Sequence, residues 1–192
     1  MEDIITSRIP KSYNQILNKS EEIGFTMTSD LYVGSFLRTL VASKPSGSFL
    51  ELGTGLGLSL SWMIEGMDAN SKVVSVDNDP KLIEIANGFF GQKENVEIVC
   101  ADGNEWILQN CEAKFDLIFA DAWPGKFELL EETLELLKSG GYYIIDDLNP
   151  QENWPEGHHK KVKKLLETLE SRVDLVLTKM NWSTGLILAT KK

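Results

Sequence analysis

The chain has 192 residues, 42% of them hydrophobic and 25% charged, the balance of an ordinary globular protein with length enough for one substantial core. A net charge of −10 argues against broad nucleic-acid binding, which rests on Lys and Arg neutralising phosphates. No apolar run reaches the roughly 18 residues of a membrane span, and the two cysteines, Cys100 and Cys111, cannot build a disulfide framework.

Met1-Glu2-Asp3 lacks the basic region and apolar core of a signal peptide, so a cytoplasmic protein is expected. Two helical patterns then occupy about residues 11 to 44, parted by Gly24 to Asp30. Ser29 or Asp30 can cap the second, in which Leu31, Phe36, Leu37, Leu40 and Val41 recur at helical spacing. Lys44-Pro45-Ser46-Gly47 stops it. A first strand, Ser48 to Leu52, runs into Gly53-Thr54-Gly55-Leu56-Gly57, after which Leu60, Met63, Ile64 and Met67 form one helix face. Glycine tolerates positive φ and lets a ligand approach the backbone, and a helix start aims free N–H groups at that turn.

The second strand, Lys72 to Asp77, ends in an acid. Asp79-Pro80 then starts a helix that turns Leu82, Ile85, Ala86 and Phe89 inward. A third strand, Val96 to Cys100, leads through Asp102-Gly103 to a short helix, which Asp102 can cap with Glu105 as reciprocal partner. The fourth strand, Phe115 to Ala120, ends at Asp121. The helix after it places Phe127, Leu130, Leu134 and Leu137 inward and ends at Ser139-Gly140-Gly141. The fifth strand, Tyr142 to Ile145, ends at Asp146-Asp147, and a polar, Trp- and Pro-bearing loop runs on to Glu156. Next comes a helix with Val162, Leu165, Leu166 and Leu169 on one face, its basic run His158 to Lys164 reading as the solvated side. Val173 to Met180 and Gly185 to Thr190 have no helix between them and must be antiparallel.

Strands alternating with helices predict a mostly parallel sheet covered on both faces, with ligands outside the carboxyl ends of its strands. Asp77, Asp102, Asp121, Asp146 and Asp147 mark that edge. The glycine spacing differs from the G-x-G-x-x-G of dinucleotide folds. Glu51 to Gly57 instead resembles motif I, E/D-x-G-x-G-x-G, of the class I S-adenosylmethionine-dependent methyltransferases, and the closing hairpin resembles their antiparallel last strand. More narrowly, Met27 to Ser61 and the Gly140-Gly141…Asp146-Asp147 stretch are similar to the small bacterial and catechol-type O-methyltransferases.

The resemblance implies an α/β fold with a Rossmann-like seven-stranded sheet, mostly parallel with an antiparallel C-terminal strand, and helices on both faces. It implies one domain over 1–192, with 1–47 capping a cofactor-binding core of 48–192. S-adenosylmethionine would meet Met27, Glu51, Gly53, Gly55, Gly57, Asp77, Asp102 and Asp121, with Asp77 on the ribose hydroxyls and Asp102 near the adenine. Catechol-type enzymes hold a divalent cation such as Mg²⁺ with an Asp after strand four and an Asp-Asn pair after strand five. The matching positions are Asp121, Asp146 and Asp147, the last replacing the Asn. The family's proton-accepting lysine falls three residues after the strand-four Asp, where this chain has Pro124; Lys126 comes two residues late, at or near a helix start. Catalytic candidates are Asp121, Lys126, Asp147 and, as a general base, His158.

The expected reaction is methyl transfer to a small molecule, at oxygen, with Trp123 and Trp154 as walls for a flat or aromatic acceptor. No membrane or nucleic-acid partner is expected, and a homodimer is left open. The rivals are an RNA methyltransferase, which the acidic surface opposes, a nicotinamide-dependent oxidoreductase, which the glycine spacing and hairpin oppose, and a cofactor-binding protein without catalysis.

Overall fold

The structure, a computed structural model, describes residues 9–151 and 154–192. Met1-Glu2-Asp3, and Glu152-Asn153 of the Trp- and Pro-bearing loop, lie outside the described residues. The elements run α1 (Tyr13–Ile23), α2 (Leu31–Ala42), β1 (Ser48–Leu52), α3 (Leu58–Gly66), β2 (Lys72–Asp77), α4 (Pro80–Phe90), β3 (Val96–Cys100), α5 (Gly103–Gln109), β4 (Phe115–Ala120), α6 (Leu130–Glu135), β5 (Leu137–Ile145), α7 (His158–Ser171), β6 (Leu175–Met180) and β7 (Leu186–Lys191). All seven strands form one sheet in the order β3-β2-β1-β4-β5-β7-β6. β7 is antiparallel to both neighbours, β5 and β6, while the other pairings are parallel. The α/β fold expected from sequence is the one observed, with β7 wedged between β5 and β6.

The strand interiors are apolar because both faces of the sheet are covered. On one side Val33, Leu37 and Val41 of α2 meet Phe49, Leu60, Trp62 and Met63. On the other, Trp106 and Ile107 of α5, Leu134 of α6 and Leu165 and Leu169 of α7 pack on Leu50, Ile118, Tyr143 and Ile145. Asp30 caps α2 by accepting from Val33 N (2.9 Å), and Asp79 caps α4 by accepting from Lys81 N (2.8 Å), as the sequence predicts.

Two elements differ from expectation. In α4 the fully buried positions are Ile83, Ala86 and Phe90, with Leu82, Ile85 and Phe89 only half-buried. Leu82, Ile85 and Phe89 still pack against the core, as expected, from its flank, while Phe90 lies against Gly57, where a β-carbon would stand 2.9 Å from its ring. The helix expected from Phe127 to Ser139 shrinks to α6. Leu129 adopts φ 49°, a left-handed turn that delays the helix start. Leu137 is buried as expected, but as the first residue of β5, pairing with Phe115 before an irregularity that brings Tyr142 opposite Leu117. Lys126 accordingly sits in the turn before α6, not in a helix.

Gly34 fixes how α2 lies on α3. A β-carbon there would fall 2.3 Å from Trp62 Cδ1, and the Trp62 side chain is fully buried. Gly34→Ala gains about 1 kcal/mol of helix propensity but overpacks a rigid contact, and a net loss of roughly 1–3 kcal/mol is expected in urea denaturation. A neutral or stabilised variant would show that the α2–α3 contact has room to spare.

Candidate active site

The turn after β1 is built from backbone. Gly53, Gly55 and Gly57 take φ values of 105°, 52° and 91°, a region that L side chains rarely adopt. Gly53 N donates to Val76 O (2.9 Å) and Gly57 N to Thr54 O (2.8 Å). A β-carbon on Gly53 would meet the Asp121 carbonyl at 3.0 Å, and one on Gly55 the ring of Phe25 at 3.3 Å. The turn thus lies flat between the end of β4 and the α1–α2 linker.

Above it opens a cavity of about 790 Å³, running along the carboxyl edge of the sheet. Toward β2 and β3 it is lined by Asp77 and Asp102, with Met27 at 73% exposure on its rim. Asp77 accepts from Gly55 N (2.8 Å) and from Asp79 N (3.0 Å), so it shapes the glycine turn as well as facing the cavity. Asp102 caps α5, accepting from Asn104 N (2.9 Å) and Glu105 N (3.1 Å), and lines the cavity too. Glu51 and Gly57 are not among the lining residues: both are buried beneath the turn.

Glu51 is fully buried, and among the described residues its hydrogen-bond partners are hydroxyls. Ser59 Oγ lies 2.5 Å from one carboxyl oxygen, Ser75 Oγ is hydrogen-bonded to the other, and Ser75 in turn meets Thr54 Oγ1 at 2.6 Å. Burial pushes the Glu51 pKa up from 4.5 to about 7, the two serine hydroxyls oppose the rise, and Asp77 adds to it. The sequence reading missed these three hydroxyl residues. Ser75 stands directly across from Glu51 in the β1–β2 register, a neighbour relation that a strand alignment could have revealed.

Toward β4 and β5 the cavity holds Asp121, Lys126, Asp146 and Asp147. Trp123-Pro124-Gly125 folds into a tight turn: Trp123 O accepts from Lys126 N (3.1 Å) and Phe127 N (2.9 Å), and Gly125 O accepts from the buried Tyr143 hydroxyl. That turn delivers Lys126, only 4% exposed, back to the acids. Burial pushes its pKa down, opposed by Asp121, Asp147 and Asp146. Burial and the carboxylates of Asp146 and Asp147 push Asp121 well above the ordinary range. Asp146 rises to about 6 by burial, although it accepts from the Thr184 hydroxyl and from Asp147 N (2.7 Å). Asp147 has φ 59°, a left-handed conformation that Asp adopts more readily than most residues.

His158 opens α7 but is not the solvated residue its basic neighbourhood suggests. It is 7% exposed, packed by the rings of Trp154, Phe127 and Trp123 at centroid distances of 4.5, 5.1 and 6.2 Å. Its Nδ1 is buried and has no hydrogen-bond partner among the described residues. Burial, then Lys126 and Lys161, depress its pKa. His159, by contrast, is exposed.

The oxygen-rich acids suit a divalent cation chemically, but the arrangement does not. The buried Lys126 shares the field of all three acids, and Asp146 Oδ1 already accepts from both Thr184 Oγ1 and Asp147 N. Among the described residues, no three His, Cys, Asp or Glu side chains form a group that could hold a metal ion.

A Rossmann-like sheet whose β7 runs antiparallel, with a glycine turn and a cavity across strand ends, defines the methyltransferase class. A family model described as "Methyltransferase domain" matches residues 43–188, and the chain belongs to that family. Curated relatives include a Mycobacterium tuberculosis protein named as an O-methyltransferase, 26% identical over 118 residues, which are 59% of this chain and 53% of that protein. The chain thus spans about half the length of the curated relatives it matches. In fold it is similar to an O-methyltransferase from Bacillus cereus in complex with SAH (TM-score 0.86, 20% identity, 99% of this chain and 94% of that one). It is likewise similar to the O-methyltransferase TomG of Streptomyces achromogenes, involved in tomaymycin synthesis and in complex with SAM (TM-score 0.84, 19% identity, 98% and 92%).

The raised Glu51 has a consequence for stability. A carboxyl with a higher pKa folded than unfolded stabilises the protein while protonated, and that contribution is lost as pH rises from the unfolded value toward the folded one. Between pH 4.5 and about 7 the native protein should lose roughly 2–4 kcal/mol from this group. Glu51→Gln should remove that part of the slope in urea denaturation across the window. An unchanged slope would mean Glu51 is ionised throughout.

Proposed function

We propose that the chain transfers the methyl group of S-adenosylmethionine to a hydroxyl of a small, flat acceptor, with Lys126 as the proton acceptor. The supporting observation is the buried Lys126 beside Asp121, Asp146 and Asp147, in the same cavity as the glycine turn and Asp77. The cofactor would lie over Gly53 and Gly55, its ribose toward Asp77, its adenine toward Asp102 and Met27, and its methionine end over the turn near Asp121. The acceptor would enter between Trp123 and Trp154, with His158 Nδ1 free to bond a polar substituent.

Burial lowers the Lys126 pKa, so a neutral amine is accessible for general-base work. In the reaction the acceptor O–H proton passes to Lys126 Nζ. The oxygen attacks the sulfonium methyl in line as the carbon–sulfur bond breaks, leaving the thioether. The three acids then stabilise the ammonium that has formed, and the closed site supplies alignment. The alternative of a divalent cation held by Asp121, Asp146 and Asp147 makes the opposite forecast for chelators. We further read the chain as one cytoplasmic domain, with its N-terminal helices α1 and α2 capping the site. No helix among the described residues is long and apolar enough to cross a membrane.

Two experiments test this reading. Lys126→Met should lower methyl transfer by about 10²–10⁴-fold while leaving cofactor affinity nearly unchanged, and wild-type activity should survive EDTA. Activity lost to EDTA and restored by Mg²⁺ would transfer the role to a metal. Separately, Asp77→Ala should weaken S-adenosylmethionine by roughly 1.5–3 kcal/mol in calorimetry, the range for hydrogen bonds to a charged group. Unchanged affinity would mean that the ribose is held elsewhere.

A further inference from the structure

The carboxyl of Glu51 lies under the turn but takes no part in the chemistry proposed above. It has no exposure, and its hydrogen-bond partners are Ser59, on the first turn of α3, and Ser75 of β2. The charged groups facing it are Asp77 at the end of β2 and Asp121 beyond β4, both carboxylates. Among the described residues no cationic side chain forms an ion pair with it. An isolated buried carboxylate in such surroundings is costly, and neutralisation by a proton is the usual relief.

The hydroxyl chain accommodates both protonation states. With Glu51 ionised, Thr54 donates to Ser75, and Ser75 and Ser59 each donate to the carboxylate. With Glu51 neutral, its proton is donated to Ser75, Ser75 donates to Thr54, and Ser59 still donates to the other carboxyl oxygen. The Thr54–Ser75 contact admits either donor, so two hydrogen bonds reverse and none is lost. Ser59, meanwhile, also lines the cavity, which links the buried carboxyl to whatever lies over the turn.

Resting on the reading that the cavity takes S-adenosylmethionine, we propose that Glu51 is a positioning residue that is neutral in the empty protein and ionises as the cofactor binds, releasing its proton to solvent. The cofactor carries a sulfonium and an ammonium against one carboxylate and so brings net positive charge to a site whose nearest fixed charges are negative. A positive ligand over Ser59 favours the ionised carboxyl below, and by linkage the ionised carboxyl tightens the ligand. Affinity should therefore rise with pH, by up to about tenfold per unit below the Glu51 pKa, and level off above it.

The test is isothermal calorimetry of S-adenosylmethionine in buffers of low and high ionisation enthalpy, at several pH values. At about one unit below the raised pKa, wild type should release close to one proton from Glu51, declining to none well above it. Asp121 and Asp146, whose carboxyls are also raised, can add to the total, so the comparison between proteins decides. Glu51→Gln should release about one proton fewer than wild type at the lower pH and flatten the affinity profile. Ser75→Ala, a smaller change that removes one hydroxyl from the ionised carboxyl, should move the midpoint of proton release upward. Equal proton release by wild type and Glu51→Gln overturns the proposal. If that variant does not fold, an unmoved midpoint in Ser75→Ala does so. Binding without any proton release defeats this inference alone, whereas no binding to wild type defeats the cofactor reading and this inference with it.

Discussion

Charge burial at the carboxyl ends of β1, β4 and β5 is the constraint on which the site depends. Glu51, Asp121, Asp146 and Lys126 are all withdrawn from water to a degree that shifts their proton affinity. Taking an ion out of water costs several kcal/mol even after relaxation. The fold offsets that cost differently in its two halves. Under the glycine turn the relief comes from hydroxyls and a proton, whereas at the β4–β5 edge a lysine is brought among carboxylates. Both solutions leave groups whose proton affinity is moved off its ordinary value, upward for the acids and downward for the lysine.

Much of the scaffold was legible because its signals are local. A parallel strand covered on both faces reads as a short apolar run, and Phe49-Leu50-Glu51-Leu52 is buried throughout. Asp79-Pro80 and the spaced glycines carry their own backbone chemistry, and the structure uses them as caps and turn. What failed to show in sequence depends on distant partners. The insertion of β7 between β5 and β6 is a matter of pairing, since a hairpin alone does not say which strand meets the older sheet. The length of α6 was misjudged because Leu137 satisfies a helical and a strand pattern equally, and its pairing with Phe115 decides. The part of Thr184, bonded to Asp146 across the sheet edge, has no local signal at all.

The displaced lysine shows how a departure from a motif can be absorbed by the backbone. Pro124 occupies the position where the resemblance places the base, and an extended chain would carry Lys126 away from the acids. The turn from Trp123 to Glu128 shortens that path instead, with the Trp123 carbonyl accepting from three successive amides and Gly125 N bonding Glu128 O at 2.7 Å. Gly125 is essential to this geometry: at φ 78° its missing side chain leaves space that a β-carbon would contest with Leu52 at 2.7 Å. Tyr143 supports the turn from the core, so the position of Lys126 is fixed by β5 as much as by its own loop.

The same geometry ties the two halves of the cavity together electrically. Asp121 feels Glu51 as well as Asp146, Asp147 and Lys126, so it links the charge under the glycine turn to those at the β4–β5 edge. Its proton affinity is set by charges of both signs, the neighbouring carboxylates raising it and Lys126 lowering it. In the mechanism proposed above, methyl transfer would remove the sulfonium charge as Lys126 takes up a proton. On that mechanism the positive charge would pass from the glycine-turn half of the cavity to the β4–β5 half, with Asp121 between them. A half-buried acid with neighbours of both signs is suited to that exchange because its own proton affinity follows whichever charge is present.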